Sequence, residues 1–208
     1  DALEMALVKR FASDYSFRVS YTLGSSRGNT TGAAIPLSGF QVLDDLNLDL
    51  NEGPTNVDRR HNLVISGQAF VPKTGGLTVS WVVRALSGSK FTLIDSTTDP
   101  DRNGTFAEPL PAGSYVSAGR NPWNVDFDGG RNGATGPGLF QADLRLGYRL
   151  RPGTERSLDL FVDVFNITNR ANFENPTGDR RSTDFLNLTA LRAGAVPTTL
   201  QIGVRMQF

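Results

Sequence analysis

The sequence closes on Thr-Thr-Leu-Gln-Ile-Gly-Val-Arg-Met-Gln-Phe, residues 198 to 208. Leu200, Ile202, Val204, Met206 and Phe208 are apolar, whereas Thr199, Gln201, Gly203, Arg205 and Gln207 are polar or small. Side chains on a strand alternate faces, so this stretch is a ribbon with one apolar side and one wet side. A strand of about 9–11 residues is also the length that crosses a bilayer at a tilt. A soluble sheet rarely ends on an apolar terminal residue.

The same alternation recurs upstream. Residues 2–11 set Leu3, Met5, Leu7 and Phe11 against Glu4 and Arg10, with Lys9 interrupting the apolar side. Its Ala, Leu, Glu and Met also suit a helix, but the Ser13-Asp14 turn and the plain strand after it favour a strand. Residues 15–23 alternate Tyr15, Phe17, Val19, Tyr21 and Leu23 with Ser16, Arg18, Ser20 and Thr22. Further strands are expected over 60–71, 77–86, 138–150 and 157–166. In the last of these, Leu158, Leu160, Val162 and Val164 oppose Asp159, Phe161, Asp163 and Phe165. Leu46, Leu48 and Leu50 predict a short extra strand within an otherwise polar segment.

Connection lengths alternate too. Ser13-Asp14, Pro72 to Gly76 and Arg151 to Thr154 are compact turns built from the residues turns require. Between them lie three long segments, 24–59, 87–137 and 167–197. Loops above about 12–15 residues are uncommon in compact soluble domains. Transmembrane barrels supply a cause, with short turns on the periplasmic side and long loops outside. Arg18, Arg84, Asp143, Arg145, Asp159, Asp163 and Arg205 would be costly in a sandwich core but at ease facing a wet lumen. A soluble β-sandwich, the rival, predicts turns every 8–12 residues, and that spacing is absent.

The expectation is therefore an all-β chain of about seven antiparallel strands belonging to a transmembrane β-barrel. Bacterial barrels have even strand numbers, and an unpaired first strand is an edge that lipid forbids. Residues 1–208 are thus expected to be the C-terminal part of a larger barrel. A start at Asp1, in mid-strand and without a signal peptide, points the same way.

Composition excludes several alternatives. Twenty-one basic residues balance 21 acidic ones, so no basic footprint argues for nucleic acid. There is no cysteine for a disulfide framework or thiolate site, and one histidine, His61, leaves no histidine cluster for zinc. No apolar run approaches the roughly 20 residues of a membrane helix.

Several stretches then carry a resemblance. They are Leu7-Val8-Lys9-Arg10-Phe11 with Phe17-Arg18-Val19-Ser20-Tyr21-Thr22, and Asp58-Arg59-Arg60-His61-Asn62. The others are the run from Asp159 through Phe165-Asn166-Ile167-Thr168-Asn169, and the closing Leu200 to Phe208. With these the chain resembles the C-terminal barrel region of TonB-dependent outer-membrane receptors, in the subgroup with an N-terminal carboxypeptidase-regulatory-like domain. The resemblance implies a receptor that takes up a bulky nutrient ligand, with plug and TonB contact supplied by a region N-terminal to this chain. It also implies that Phe208, with Met206 and Val204, is the signal read by the barrel-assembly machinery, and that outer-membrane lipid covers the apolar face. No catalytic residue and no cofactor are expected. An adhesion barrel without transport and a soluble binding sandwich are the alternatives.

Candidate sites are few. Asp99-Pro100-Asp101-Arg102-Asn103-Gly104 matches the first half of a calcium loop, with Asp99, Asp101 and Asn103 as ligands. The twelfth position holds Leu110 and Glu108 comes two residues early, so a plain Asp/Asn/Gly turn stays open beside it. His61 reads as a rim residue rather than a catalytic base, since no nucleophile elbow accompanies it. Gly129 to Gly133 reads as a flexible outer loop, because it does not link a strand to a helix as a phosphate loop would. Trp81, Tyr15, Tyr21, Tyr148 and Phe208 are candidates for aromatic girdles.

Overall fold

The computed structural model describes residues 1–29, 48–100, 102, 104, 106, 108–117, 122–126, 131–151 and 156–207. Leu46, Asp101, Asn103, Gly129, Gly130, Pro152, Gly153 and Phe208 lie outside the described residues.

Seven long strands form one antiparallel sheet in simple chain order: β1 (Ala2–Ala12), β2 (Tyr15–Gly24), β3 (His61–Phe70), β4 (Leu77–Leu86), β5 (Leu139–Leu150), β6 (Ser157–Phe165) and β7 (Thr199–Gln207). The register joins the apolar sides into a single face. Across it, Leu7 pairs with Val19, Val19 with Ile65, Ile65 with Val83 and Val83 with Ala142. The rows continue through Leu144 to Val164 and Val164 to Leu200. A one-residue slip anywhere would send one strand's apolar set to the wrong side.

Nothing packs on that face among the described residues. The strands' substantial contacts are with their sheet neighbours, and Leu200 and Ile202 are 61% and 71% exposed. This overturns the sandwich alternative, which needs a second sheet there. Among the described residues, β1 and β7 are the free edges of the sheet.

The short connections explain themselves locally. Ser13 and Asp14 both take positive φ, 55° and 68°, as in the two-residue hairpin turn whose twist matches that of strands. Residues 71–76 close on Thr74, whose hydroxyl donates to the Val71 carbonyl (2.7 Å) and accepts the Leu77 N–H (3.2 Å). Gly76 has φ 145° there, and a Cβ would sit 2.4 Å from the Arg149 carbonyl oxygen.

Four expectations are corrected. A register shift between Lys9 and Ala12 adds a residue to β1. Beyond it Phe11 leaves the apolar row and packs edge-on against Phe70, centroids 5.4 Å apart. Lys9 interrupts the row because its ammonium donates to the Ala12 and Tyr15 carbonyls (2.6 and 3.1 Å) and lies over the Tyr15 ring. Leu48–Asn51 is a turn of 3₁₀ helix, not a strand. Trp81 sits midway along β4, its indole covering Gly67 of β3, and so belongs to no girdle at a strand end.

The fourth correction concerns the long loops, whose described residues are folded rather than irregular. Within 87–138, the short strands Lys90–Phe91, Gly113–Tyr115, Trp123–Val125 and Ala134–Thr135 make a small second sheet. The buried apolar core of the described residues lies here, not under the seven strands: Phe91, Leu93, Leu110, Val125, Ala134 and Leu186.

Candidate functional site

Two features of the fold bear on function: the polar wall and the cap formed by its loops. Both follow from the alternation. With the apolar residues on one face, the register places Arg18, Arg84, Asp143, Arg145, Asp159, Asp163 and Arg205 on the other. Hollows of about 1100 and 670 Å³ lie against this face, the smaller reaching from β1 to β6.

Four of the charges on the wall form two ion pairs. Arg145 grips Asp163 with two parallel N–H···O bonds, 2.5 and 2.7 Å, and Arg149 grips Asp159 the same way at 2.5 and 2.9 Å. Forked Arg–carboxylate contacts fix direction as well as charge. Asp163 is only 4% exposed, so its charge depends on that partner. The Arg145 guanidinium also lies over the Phe161 ring, 4.6 Å from its centroid. Phe161 in turn covers Gly203, where any Cβ would meet the ring at 2.2 Å. Arg205 stands opposite Asp159 in the β6–β7 register. One side of this ladder is a row of fixed dipoles along the wall.

Asp143 does different work. Its carboxylate accepts the Asn166 N–H (2.8 Å) and both bonds from the Gln141 amide. Asn166, 1% exposed and at φ 48°, is where β6 turns into the third long loop. Its side-chain amide donates to the carbonyls of Arg170 (3.0 Å) and Val196 (2.8 Å), and its own carbonyl accepts the Thr198 hydroxyl. Asn169 accepts the Thr198 N–H. The Asn-Ile-Thr-Asn stretch therefore ties the start of the loop to its end, at the mouth of the wall.

Above that mouth the three loops form one cap. Leu186, from the third loop, enters the core of the second. Backbone bonds join Ile94 to Gly178 and Arg180, and the Ser96 hydroxyl lies 2.8 and 2.7 Å from the two Asp179 oxygens. The first loop is seated from the other side: Arg131 donates to the Gly28 carbonyl and Asn132 to that of Pro54, both 2.7 Å. Arg131 and Asn132 are buried, which corrects the expectation of a flexible loop there. That contact is long-range and has no periodic signature, so sequence reading had nothing to find it by.

Electrostatics tighten the cap. The Ser96 hydroxyl, then the Arg181 N–H, hold the Asp179 carboxyl below the usual carboxylate range. The Thr97 hydroxyl does the same for Asp95. Burial lowers the Arg131 guanidinium.

The remaining sequence candidates are placed as follows. Met206 and Val204 lie on the exposed apolar face of β7, 60% exposed each. The Asp99 carboxylate accepts the Gly104 N–H at 3.0 Å, a local turn contact. His61 Nδ1 is 2.8 Å from the Tyr21 hydroxyl at the loop end of β2 and β3.

A family model described as an outer membrane beta barrel domain matches residues 1–201. The chain belongs to that family. An outer-membrane barrel domain accounts for the apolar face without a partner, for the wet opposite face, and for short turns at one end with long loops at the other. The protein resides in the bacterial outer membrane. No curated protein and no solved structure matches the chain.

Proposed function

We propose that this barrel domain is part of a TonB-dependent receptor, supplying wall and capture surface for uptake of a bulky nutrient. The observation that carries the reading is the cap. The second and third long loops share one apolar core, and the first is hydrogen-bonded to the second, at the mouth of a charged, hollowed wall. A platform already ordered before the ligand arrives spares the ordering cost of binding. Outer-membrane lipid covers the apolar face, and further strands of a larger barrel pair with the free edges of β1 and β7. A plug and its TonB contact belong to a region N-terminal to these strands. The chain binds and conducts; no catalytic step is assigned to it. Calcium at Asp99, Asp101 and Asn103 would be a loop-ordering ion, and equal calorimetric heats from wild type and Asp101→Ala would end that part of the reading.

The test is genetic. Removing the full-length protein from its bacterium should abolish growth on at least one limiting nutrient, and depleting TonB should reproduce the defect. Normal growth on every nutrient with loss of surface attachment would support an adhesion barrel instead. Deleting Phe208 from the full-length protein should lower its level in the outer membrane on immunoblots of membrane fractions; unchanged levels would count against the insertion signal.

A further inference from the structure

A second charged feature lies where the cap meets the sheet. β4 and β5 run on past the register pair Leu86 and Leu139 into two adjoining backbones. They are so close that a Cβ on Gly88 would meet the Gly136 oxygen. Onto this stem two guanidiniums are laid from different loops. Arg59, from the first loop, donates through Nη1 to the Ser87 carbonyl at 2.8 Å. Arg192, from the third, donates through Nη2 to the Pro137 carbonyl at 3.0 Å. Its backbone N–H is held by the Asn172 carbonyl, and Asn172 is itself fixed to the backbone of Phe140 in β5.

Two guanidiniums laid on one narrow stem repel each other unless something offsets them. Among the described residues neither arginine makes an ion pair with a carboxylate. The Nε of Arg192 is buried and has no hydrogen-bond partner. A buried N–H of this kind ordinarily has one. Burial chiefly, and the charge of Arg192 second, lowers the Arg59 guanidinium, the direction expected of a partly desolvated cation with a like charge in range.

We propose that Arg59 and Arg192 together form an oxyanion site at the foot of the cap, taking a carboxylate or phosphate group. One amino group of each guanidinium holds it against the stem, and the other amino group of each is left for the ligand. Guanidinium forks match the paired oxygens of these groups, and charge-assisted bonds in a partly dry setting are the strong ones. Because the arginines come from two loops, a bound anion also bridges those loops. The site does not depend on the transport reading: an adhesion barrel would carry it equally.

The experiment is calorimetric titration of the full-length protein in detergent with inorganic phosphate and, separately, with citrate. Wild type should bind at least one, and the arm that binds tells phosphate from carboxylate. Arg59→Gln and Arg192→Gln should each weaken that binding about tenfold or more, the loss of one charge-assisted contact, while the protein keeps its heat-modifiable migration on gels. If a Gln variant does not assemble, Arg59→Lys and Arg192→Lys retain the charge without the fork and should still weaken binding several-fold. Absence of heat with both anions in wild type, or an unchanged affinity in the assembled variants, overturns the proposal.

Discussion

Asn166 shows how much one side chain can hold when it is buried at a turn. It satisfies both amide protons and receives bonds from the two ends of a loop some thirty residues long. Alanine at this position takes the Asn166 donor from the Arg170 and Val196 carbonyls, two hydrogen bonds worth about 0.5–1.5 kcal/mol each. The positive φ adds strain that Asn tolerates better than Ala. The effect should be local, because the strands are fastened by their own ladder. We expect Asn166→Ala to assemble normally but to be cut within residues 167–197 by limited proteolysis at least tenfold faster than wild type. Equal cleavage rates would show that the Asn169 and Arg192 contacts suffice.

At the level of the strand, the two faces of β7 make opposite demands. Ile202 pairs with Val162 on the lipid face, and its neighbour Gln201 pairs with Asp163 on the wall. A charge near the bilayer midplane costs about 2–4 kcal/mol on the lipid face of a barrel, and wall positions tolerate it. Ile202→Arg should therefore lower the level of assembled protein by cell fractionation, while Gln201→Arg, one residue away, should not. Equal outcomes would mean that the faces are misassigned. This alternation was legible in the sequence because period two is written into adjacent residues, and β4 is found over the very residues 77–86 that the pattern predicts. Lys9 looked like a defect because a bulge has no local signature. It became intelligible once its ammonium was seen capping the turn carbonyls.

On the scale of the whole molecule, apolar packing and apolar exposure have changed places. The sheet carries its apolar surface outward, while the enclosed core belongs to the loops. That core was illegible in the sequence: Phe91, Leu110, Val125 and Leu186 meet from distant positions in segments that look like polar coil. The paired wall charges were visible as residue types, but which arginine grips which carboxylate depends on register. The cap's stability should depend on pH in a definite direction. Asp95 and Asp179 are held below the usual carboxylate range. Their contribution is present above the unfolded value of about 3.9 and is lost as pH falls through the lower folded values. Of the two tryptophans, Trp123 packs on the cap core and Trp81 lies in the sheet. In a Trp81→Phe variant, emission should be constant near neutrality and shift to the red below about pH 4. A spectrum unchanged down to pH 2 would show that these carboxylates do not hold the cap.

Leu186 has a consequence for how such a surface can vary. A loop that stands alone can be exchanged, tagged or altered under pressure from phage or antibody without disturbing its neighbours. Here one loop's leucine fills a chamber walled by another, and the Gly28 and Pro54 carbonyls of the first loop are ligands for side chains of the second. Grafting any one of the three from a relative would empty a seat or leave a buried donor bare. Escape variants should therefore change contact residues on the outer skin of the cap and leave its interior alone, and working chimaeras should be those in which all three loops travel together.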